Sequence, residues 1–215
     1  MSAPLSPEEL VAGLLDAGAV KLRPSEPFTW SSGLKSPIYC DNRQLLGQSS
    51  LRRRIADALA EAAAKLHPSL IAGTSTAGIP WGALVAERLD LPFAYVRPEP
   101  KKHGMGRQVE GPSAQGQRVV LIEDLISTGG SSLKCAKAVQ AEGGSVAAVL
   151  ALFSYGLHEA SDAFQEAAIS LQVLGTFDAL AAEAQARGTL DGAGRSALGV
   201  WQMDPAAWSK AHGGL

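Results

Sequence analysis

The sequence predicts an α/β fold, with a mainly parallel central sheet flanked by helices. Two observations lead to this prediction. Short, continuously apolar stretches recur along the chain, at residues 70–72, 93–96, 119–122, 146–153 and 171–174. Stretches of helical periodicity lie between them, at residues 50–67, 79–89, 132–142, 158–167 and 177–187. Strands that are apolar along their whole length are buried on both faces, and their alternation with helices is typical of a parallel sheet.

Outside this alternation, local signals describe the chain. Ser6 is expected to cap a first helix, since Pro7 suits the first helical position and Glu9 completes a capping box. Residues 23–33 are expected to form loops and short strands. Residues 98–116 are predicted to be a long polar loop with several glycines, and the glycine-rich tail, 188–215, shows no clear periodicity.

Composition excludes several classes of protein. The 215 residues include 19 Lys and Arg against 21 Asp and Glu, a formal net charge of −2, whereas nucleic-acid-binding domains are usually strongly basic. No apolar run approaches the roughly 20 residues that cross a bilayer, and the first residues lack a secretory signal. Cys40 and Cys135 cannot form a disulfide framework or a four-ligand zinc site, and the tryptophans are expected to pack. We therefore expect one cytoplasmic domain over residues 1–215 that binds neither nucleic acid nor membranes.

The stretch most informative about chemistry is RVVLIEDLISTGGSS, residues 118–132. It runs from an apolar strand through Glu123 and Asp124 into hydroxyl residues and glycines, and then into a helix. Glycine backbone N–H groups can approach an anion closely, and a helix N-terminus adds its positive dipole end. Carboxylates suit sugar hydroxyls or a magnesium ion instead. The combination predicts a sugar-phosphate site at the carboxyl end of this strand.

Two other phosphate-binding motifs are absent from the sequence. There is no GxxxxGK[ST] pattern, and Gly104-Met105-Gly106 lacks the third glycine of the dinucleotide fingerprint. On pattern alone, an ordinary strand–turn–helix junction with a glycine-rich turn remains the alternative interpretation of residues 118–132.

The stretch 118–132 resembles the binding motif for 5-phosphoribosyl 1-diphosphate (PRPP) of the type I phosphoribosyltransferases. Three further segments resemble motifs of the orotate phosphoribosyltransferase family in the family's order: the hood motif FTWSSGLKSPIYCDNR (28–43), the diphosphate loop AGTSTAGIP (72–80) and the catalytic loop YVRPEPKKHG (95–104). The resemblance implies a type I phosphoribosyltransferase fold with an N-terminal hood (about residues 1–45), a core (about 50–187) and the tail. It also implies magnesium-dependent transfer of the phosphoribosyl group from PRPP to N1 of orotate, giving orotidine 5′-monophosphate and diphosphate in pyrimidine (UMP) biosynthesis.

The resemblance also implies which residues act on PRPP. Arg97, Lys101 and His103 would be catalytic, because cationic groups stabilise the departing diphosphate. The residues that would bind PRPP are Arg97, Lys101, Lys102, His103, Glu123, Asp124, Leu125, Ile126, Ser127, Thr128, Gly129, Gly130, Ser131, Thr76 and Ala77.

Orotate, the metal and the partner subunit are assigned in the same way. Orotate would contact Ser127, Phe28 and Lys35. Mg²⁺ would have no direct side-chain ligand and would be held by Asp124 or Glu123 through water. The family resemblance also implies a homodimer in which the catalytic loop is shared across the interface.

Departures from the family pattern leave some roles open. Ser31 stands where some members have a lysine, and Pro98 stands where many have another lysine. Residues 153–156, FSYG, lack an arginine with which some members grip the orotate carboxylate, so backbone N–H groups or the hood would hold that group. Two alternatives remain: a phosphoribosyltransferase for another nucleobase, and a non-catalytic regulator that senses PRPP.

Overall fold

A large sheet lies at the centre of the molecule, which a computed structural model describes at residues 4–30, 33–99 and 107–215. The strands are β1 (Val20–Leu22), β2 (Phe28–Thr29), β3 (Lys35–Ser36), β4 (Ile38–Cys40), β5 (Leu70–Thr74), β6 (Phe93–Val96), β7 (Val109–Glu110), β8 (Arg118–Ile126), β9 (Ser145–Ser154) and β10 (Leu171–Thr176). The helices are α1 (Pro7–Asp16), α2 (Ser49–Ala64), α3 (Gly78–Leu89), α4 (Gly130–Ala141), α5 (His158–Glu166), α6 (Phe177–Ala186), α7 (Gly192–Met203) and α8 (Pro205–Ala211), and a 3-10 helix spans Asn42–Gly47.

The large sheet has six strands in the order β10-β9-β8-β5-β6-β7. Strands β10, β9, β8, β5 and β6 run parallel, and β7 pairs antiparallel with β6. The prediction of a mainly parallel sheet flanked by helices is therefore confirmed. Two small antiparallel pairs, β1 with β4 and β2 with β3, belong to the hood.

Helices cover both faces of the sheet, as the continuously apolar strands predict. Val120 and Ile122 of β8 pack in one hydrophobic cluster with residues of α1, α2, α3 and α6. Val119 and Leu121 pack in another cluster, with residues of α4 and α5. This division follows from the alternation of side chains along a strand, and each fully buried aliphatic side chain contributes about 1.5–3 kcal/mol. Within the described residues, no helix is both long and apolar enough to cross a membrane.

Two strands differ from the predicted ones near the site. β8 continues to Ile126, beyond the predicted end at residue 122, because β9 runs beside it and pairs Leu125 with Phe153. The acidic pair, predicted at the carboxyl end of the strand, therefore lies inside it, before the last two residues. The segment predicted to be a loop over residues 98–116 contains β7, whose two residues pair with Tyr95 and Val96.

The tail, 188–215, forms α7 and α8, elements that the sequence analysis does not predict. Each helix begins at an aspartate cap: Asp191 and Asp204 accept a hydrogen bond from the backbone N–H three residues later. Trp201 of α7 and Trp208 of α8 are buried in the larger cluster. Because α8 contacts β3, the tail packs against the hood.

Candidate active site

The strand order opens a crevice between β5 and β8 at their carboxyl ends. From β5 the chain continues to β6 on one side, whereas β8 leads to β9 and β10 on the other side. Ligands of open parallel α/β sheets bind at such a point, where the direction of strand order reverses. The loops after β5, β6 and β8 carry most of the residues predicted to bind PRPP.

The loop between β8 and α4 has the conformation of an anion-binding turn. Gly129 has a φ of +79°, in the left-handed region that favours glycine, and a Cβ there would lie 2.8 Å from the Phe164 ring. The other hydroxyl residues and glycines of the loop are exposed or half-buried, namely Ser127, Thr128, Gly130 and Ser131. No described side chain caps the N-terminus of α4, so its first backbone N–H groups are open to a phosphate.

Glu123 and Asp124 have different neighbours, Glu123 on the side of α4 and Asp124 on the side of the hood, but their adjacent carboxyl groups also interact through a side-chain hydrogen bond. The buried Glu123 carboxylate accepts hydrogen bonds from the Ser132 hydroxyl at 2.8 Å and from the Asp124 backbone N–H at 3.0 Å. Asp124 lies on the hood side, where its charge acts on Cys40 and Tyr155. The prediction that both carboxylates bind ribose stays a prediction, and the geometry favours Asp124 for direct contact.

Two features bear on the chemistry of Asp124. Burial, and then the charge of Glu123, raise the pKa of the Asp124 carboxyl group to about 8. The Asp124 backbone carbonyl accepts a hydrogen bond from the buried Asn42 side-chain amide at 2.6 Å. The hood is thereby linked directly to this acidic residue.

The loop between β5 and α3 turns sharply beside β8. A Cβ on Gly73 would lie 2.7 Å from the carbonyl oxygen of Gly78, and a Cβ on Gly78 would collide with a backbone carbonyl of β8. The Thr74 hydroxyl donates to that same carbonyl at 3.2 Å. These glycines therefore permit close packing of the turn, and Thr76 and Ala77, exposed and half-buried, are left to meet a ligand.

Arg97 follows β6 directly and is half-buried. Its backbone N–H donates to the Gln108 carbonyl at 2.9 Å, and its own carbonyl accepts from the Gln108 side-chain amide at 2.9 Å. These bonds hold Arg97 at the edge of the crevice. The remaining residues predicted for this loop, Lys101, Lys102 and His103, lie outside the described residues, and their roles stay predictions.

The described residues that precede β8, from residue 107 to residue 114, are bound to Glu142 at the end of α4. Its carboxylate accepts from the Ser113 hydroxyl at 2.8 Å, the Arg107 guanidinium at 2.7 Å and the Ala114 backbone N–H at 3.2 Å. Partial burial opposes ionisation, but these hydrogen bonds outweigh it and lower the pKa of Glu142.

A cavity of about 460 Å³, which we call the hood cavity, adjoins the β8–α4 loop. Its described lining comes from the hood, from β8 and its loop, and from the end of β9: Thr29, Trp30, Tyr39, Cys40, Leu125, Ser127 and Tyr155. Trp30 and Tyr155 stack with centroids 6.2 Å apart. Aromatic faces with a few hydroxyl groups suit a small, flat, polar ring. Of the predicted site residues, the cavity brings Leu125 and Ser127 together, whereas the fully buried Ile126 packs in the core.

The two hood residues predicted to contact orotate lie beside the hood cavity and are not among its described lining residues. The Phe28 ring packs against Tyr39, with centroids 5.7 Å apart. The Lys35 ammonium donates to the Thr29 hydroxyl at 2.8 Å, and the Lys35 backbone N–H donates to the fully buried Ser209 hydroxyl of α8 at 2.8 Å. The tail therefore fixes β3 in the hood.

Five residues that line the hood cavity, Thr29 among them, have no ligand contact predicted from the sequence. Trp30, Tyr39 and Cys40 all belong to the hood motif, which is the signal that could have identified them. Tyr155 had no comparable signal, because packing brings it beside Trp30. Cys40 fits its predicted structural role in one respect: burial raises the pKa of its thiol far above the ordinary value, and the thiol donates to Asn42 Oδ1 at 3.1 Å.

Known proteins share this arrangement. Residues 44–163 match the family described as the phosphoribosyl transferase domain. An orotate phosphoribosyltransferase of Bacillus caldolyticus is 49% identical over 202 residues, which cover 93% of this chain and 98% of that protein. The crystal structure of orotate phosphoribosyltransferase from Aeropyrum pernix has a TM-score of 0.68 at 32% identity, covering 83% of this chain and 99% of that one. A Mycobacterium tuberculosis H37Rv orotate phosphoribosyltransferase in complex with PRPP has a TM-score of 0.60 at 22% identity, covering 81% and 90% of the two chains. This chain belongs to the orotate phosphoribosyltransferase family.

Proposed function

We propose that this orotate phosphoribosyltransferase holds PRPP across the carboxyl ends of β5 and β8 and orotate in the hood cavity. The reaction breaks the bond between C1 of the ribose and the diphosphate oxygen and forms a bond from C1 to N1 of orotate, which loses its proton. One observation carries the proposal: Ser127 belongs both to the anion-binding turn before α4 and to the lining of the hood cavity. A ribose phosphate anchored in the turn would therefore present C1 to a base in the cavity.

The 5-phosphate is assigned to the β8–α4 loop. The backbone N–H groups at the start of α4 are uncapped by any described side chain, and the Thr128 and Ser131 hydroxyl groups are exposed beside them. Together they offer several donors to one phosphate, aided by the helix dipole. Gly129 and Gly130 let the backbone come close to the phosphate oxygens.

The ribose hydroxyl groups are assigned to Asp124. Its side chain is on the hood side of β8, where its charge acts on Cys40 and Tyr155, two residues that line the hood cavity. Glu123 is a positioning residue in this proposal, because its carboxylate is already held by Ser132 and by the backbone of Asp124. The ribose is thus fixed between its two reacting ends, which favours attack by the base.

The departing diphosphate is assigned to the loops after β5 and β6. Thr76 and Ala77 face it from one side and Arg97 from the other, with Lys101 and His103 supplied by the catalytic loop. Cations there stabilise charge that grows as the ribosyl centre becomes oxocarbenium-like. We expect Lys101→Ala to lower kcat more than it weakens substrate binding. Unchanged kcat with only a raised KM would refute the assignment.

Mg²⁺ fits this site as a companion of PRPP. The described residues contain no group of three or more His, Cys, Asp or Glu that could hold a metal without other ligands, so the substrate would supply most of the oxygen ligands. The raised pKa of Asp124 beside Glu123 marks an excess of negative charge that a cation relieves. Asp124 or Glu123 would hold the ion through water. When bound, Mg²⁺ supplies charge neutralisation for the diphosphate.

The proposal includes a cytoplasmic homodimer whose catalytic loop reaches the partner's crevice. It rests on the family resemblance of residues 95–104 and on the position of Arg97, which follows β6 at the crevice edge. Sedimentation velocity and activity should be measured on the same sample. We expect a dimer, and a fully active monomer would contradict the shared site.

The activity is tested by mixing the protein, MgCl₂, PRPP and orotate and following the loss of orotate absorbance. Orotate should disappear with equimolar release of diphosphate, and neither should occur in EDTA. Turnover of uracil or a purine base in place of orotate would favour the first alternative. PRPP binding without turnover of any base would favour the regulator.

A further inference from the structure

Contacts from three parts of the molecule hold Tyr155 in place beside the hood cavity. Its ring stacks on Trp30 at 18° and meets Trp201 edge-on, with the Tyr155 and Trp201 centroids 5.4 Å apart. Its backbone N–H donates to the Ile126 carbonyl at 3.0 Å, and its carbonyl accepts from the Gln202 side-chain amide at 2.8 Å. The hood and the tail thus fix the ring of Tyr155, and the sheet and the tail fix its backbone.

The hydroxyl group of this fixed ring has no hydrogen-bond partner among residues 4–30, 33–99 and 107–215. Tyr155 is only 3% exposed, and that surface borders the hood cavity. The hydroxyl group therefore opens toward the hood cavity, where it can donate a hydrogen bond to a ligand atom.

The chemistry of the hydroxyl group selects the kind of ligand atom. Burial, and then the charges of Cys40 and Asp124, raise the pKa of Tyr155 well above the ordinary value. The phenol is therefore a neutral hydrogen-bond donor throughout the physiological range. A donor that cannot ionise beside an anionic acceptor makes a stronger bond than one between neutral groups.

The other hydroxyl groups of the described lining are less suited to this role. Thr29 already accepts a hydrogen bond from Lys35, and Tyr39 is 42% exposed, so water competes for its hydroxyl group. Ser127 adjoins the phosphate loop. The described lining contains no lysine or arginine, so the donors that it offers to a negatively charged part of the ligand are neutral groups.

We propose that the Tyr155 hydroxyl donates a hydrogen bond to the C6 carboxylate of orotate and so distinguishes orotate from pyrimidines that lack this group. This inference rests on the proposed placement of orotate in the hood cavity. Tyr155 is then a specificity-determining residue, and Trp30, Trp201 and Gln202 are the residues that position it.

The test compares two product-like ligands that differ only in this carboxylate. Orotidine 5′-monophosphate and uridine 5′-monophosphate are titrated calorimetrically into the wild type and Tyr155→Phe, which keeps the ring and removes the hydroxyl group. We expect the Kd for orotidine 5′-monophosphate to rise about tenfold, about 1.4 kcal/mol, and the Kd for uridine 5′-monophosphate to change less than about twofold. The melting temperature should stay equal or rise, because an unpaired hydroxyl group is removed.

The matched control is Ser161→Ala, which deletes an exposed hydroxyl group on α5 outside the described lining of the cavity and should leave both affinities unchanged. If Tyr155→Phe weakens the binding of both nucleotides equally, the hydroxyl group has a structural role. If it weakens the binding of neither, the hydroxyl group has no role in recognition. Both results overturn the inference while the wild type still consumes orotate. A wild type that neither consumes orotate nor prefers orotidine 5′-monophosphate would overturn the proposed function together with the inference.

Discussion

Replacing Asp124 with asparagine should stabilise the free protein while impairing catalysis. Asparagine has the shape of aspartate, and the bond from Asn42 to the backbone carbonyl at this position does not depend on the side chain. The substitution therefore replaces a carboxyl group that is costly to ionise beside Glu123 with a neutral amide of the same shape. The proposed contact with ribose loses a carboxylate acceptor, so turnover should fall.

The size of the stabilisation follows from the raised pKa. In the folded protein the carboxyl group titrates at about 8 instead of its ordinary 3.8, so between these values the folded state binds a proton that the unfolded state has released. Asp124 then lowers the free energy of unfolding by up to about 1.4 kcal/mol for each pH unit above 4. Between pH 4 and pH 7 the limit is about 4 kcal/mol, and relaxation of the site brings the expected gain in Asp124→Asn to about 1–3 kcal/mol.

The assay is thermal unfolding of the wild type and the variant at several pH values without ligand. At pH 7 the melting temperature of Asp124→Asn should be higher by about 3–10 °C, since 1 kcal/mol corresponds to about 2–4 °C at this chain length. The difference should shrink toward pH 4, because the Asp124 carboxyl group then becomes protonated in the unfolded state as well as in the folded state. Asp162→Asn, which changes an exposed carboxylate on α5, is the control. A variant that is less stable at pH 7, or a difference independent of pH, would refute the reasoning.

Three further predictions address the loop, the hood and the segment before β8. Ser209→Ala removes the acceptor of the Lys35 backbone N–H, so the KM for orotate should rise about 3–10-fold in steady-state assays while the KM for PRPP stays within about twofold; equal rises would contradict a role in the hood. Gly129→Ala should lower the free energy of unfolding in urea by about 1–3 kcal/mol and raise the KM for PRPP, because its φ of +79° and the nearby phenylalanine ring exclude a Cβ. Equal destabilisation by Gly130→Ala would show that the φ is not the cause. Glu142→Gln should lower the free energy of unfolding by about 1 kcal/mol at pH 7 and leave it unchanged near pH 3. A carboxylate with a lowered pKa stabilises the fold above its ordinary pKa and loses this effect as the pH falls. The same decrease at both pH values would rule out the ionised carboxylate as its source.

The central sheet could be predicted because burial on both faces is visible in the sequence. In β8, Val119, Val120, Leu121 and Ile122 are all apolar, and they pack alternately in two clusters. The same alternation separates Glu123 from Asp124. The sequence pattern does not distinguish the two carboxylates, because it predicts both of them at the carboxyl end of the strand. The pairing partner of β8, which no local pattern reveals, extends the strand past both residues.

The tail and the hood cavity could be predicted only in part, because long-range packing forms them. Glycines 192, 194 and 199 lower the helix propensity of α7, and burial of Trp201 against the core stabilises it nonetheless. The start of α8 had a usable signal, an aspartate followed by Pro205. The hood cavity joins segments more than 100 residues apart, such as Trp30 and Tyr155, and sequence spacing does not report such contacts.

In the proposed mechanism, the β8–α4 loop and the hood cavity bind one substrate pair side by side. A crystal structure with orotidine 5′-monophosphate bound tests it most directly. The phosphate should lie against residues 127–131, the ribose hydroxyl groups beside Asp124, and the base between Trp30 and Ser127 with its carboxylate near the Tyr155 hydroxyl. A nucleotide whose base lies outside the hood cavity, or whose phosphate is bound away from the N-terminus of α4, would contradict the account.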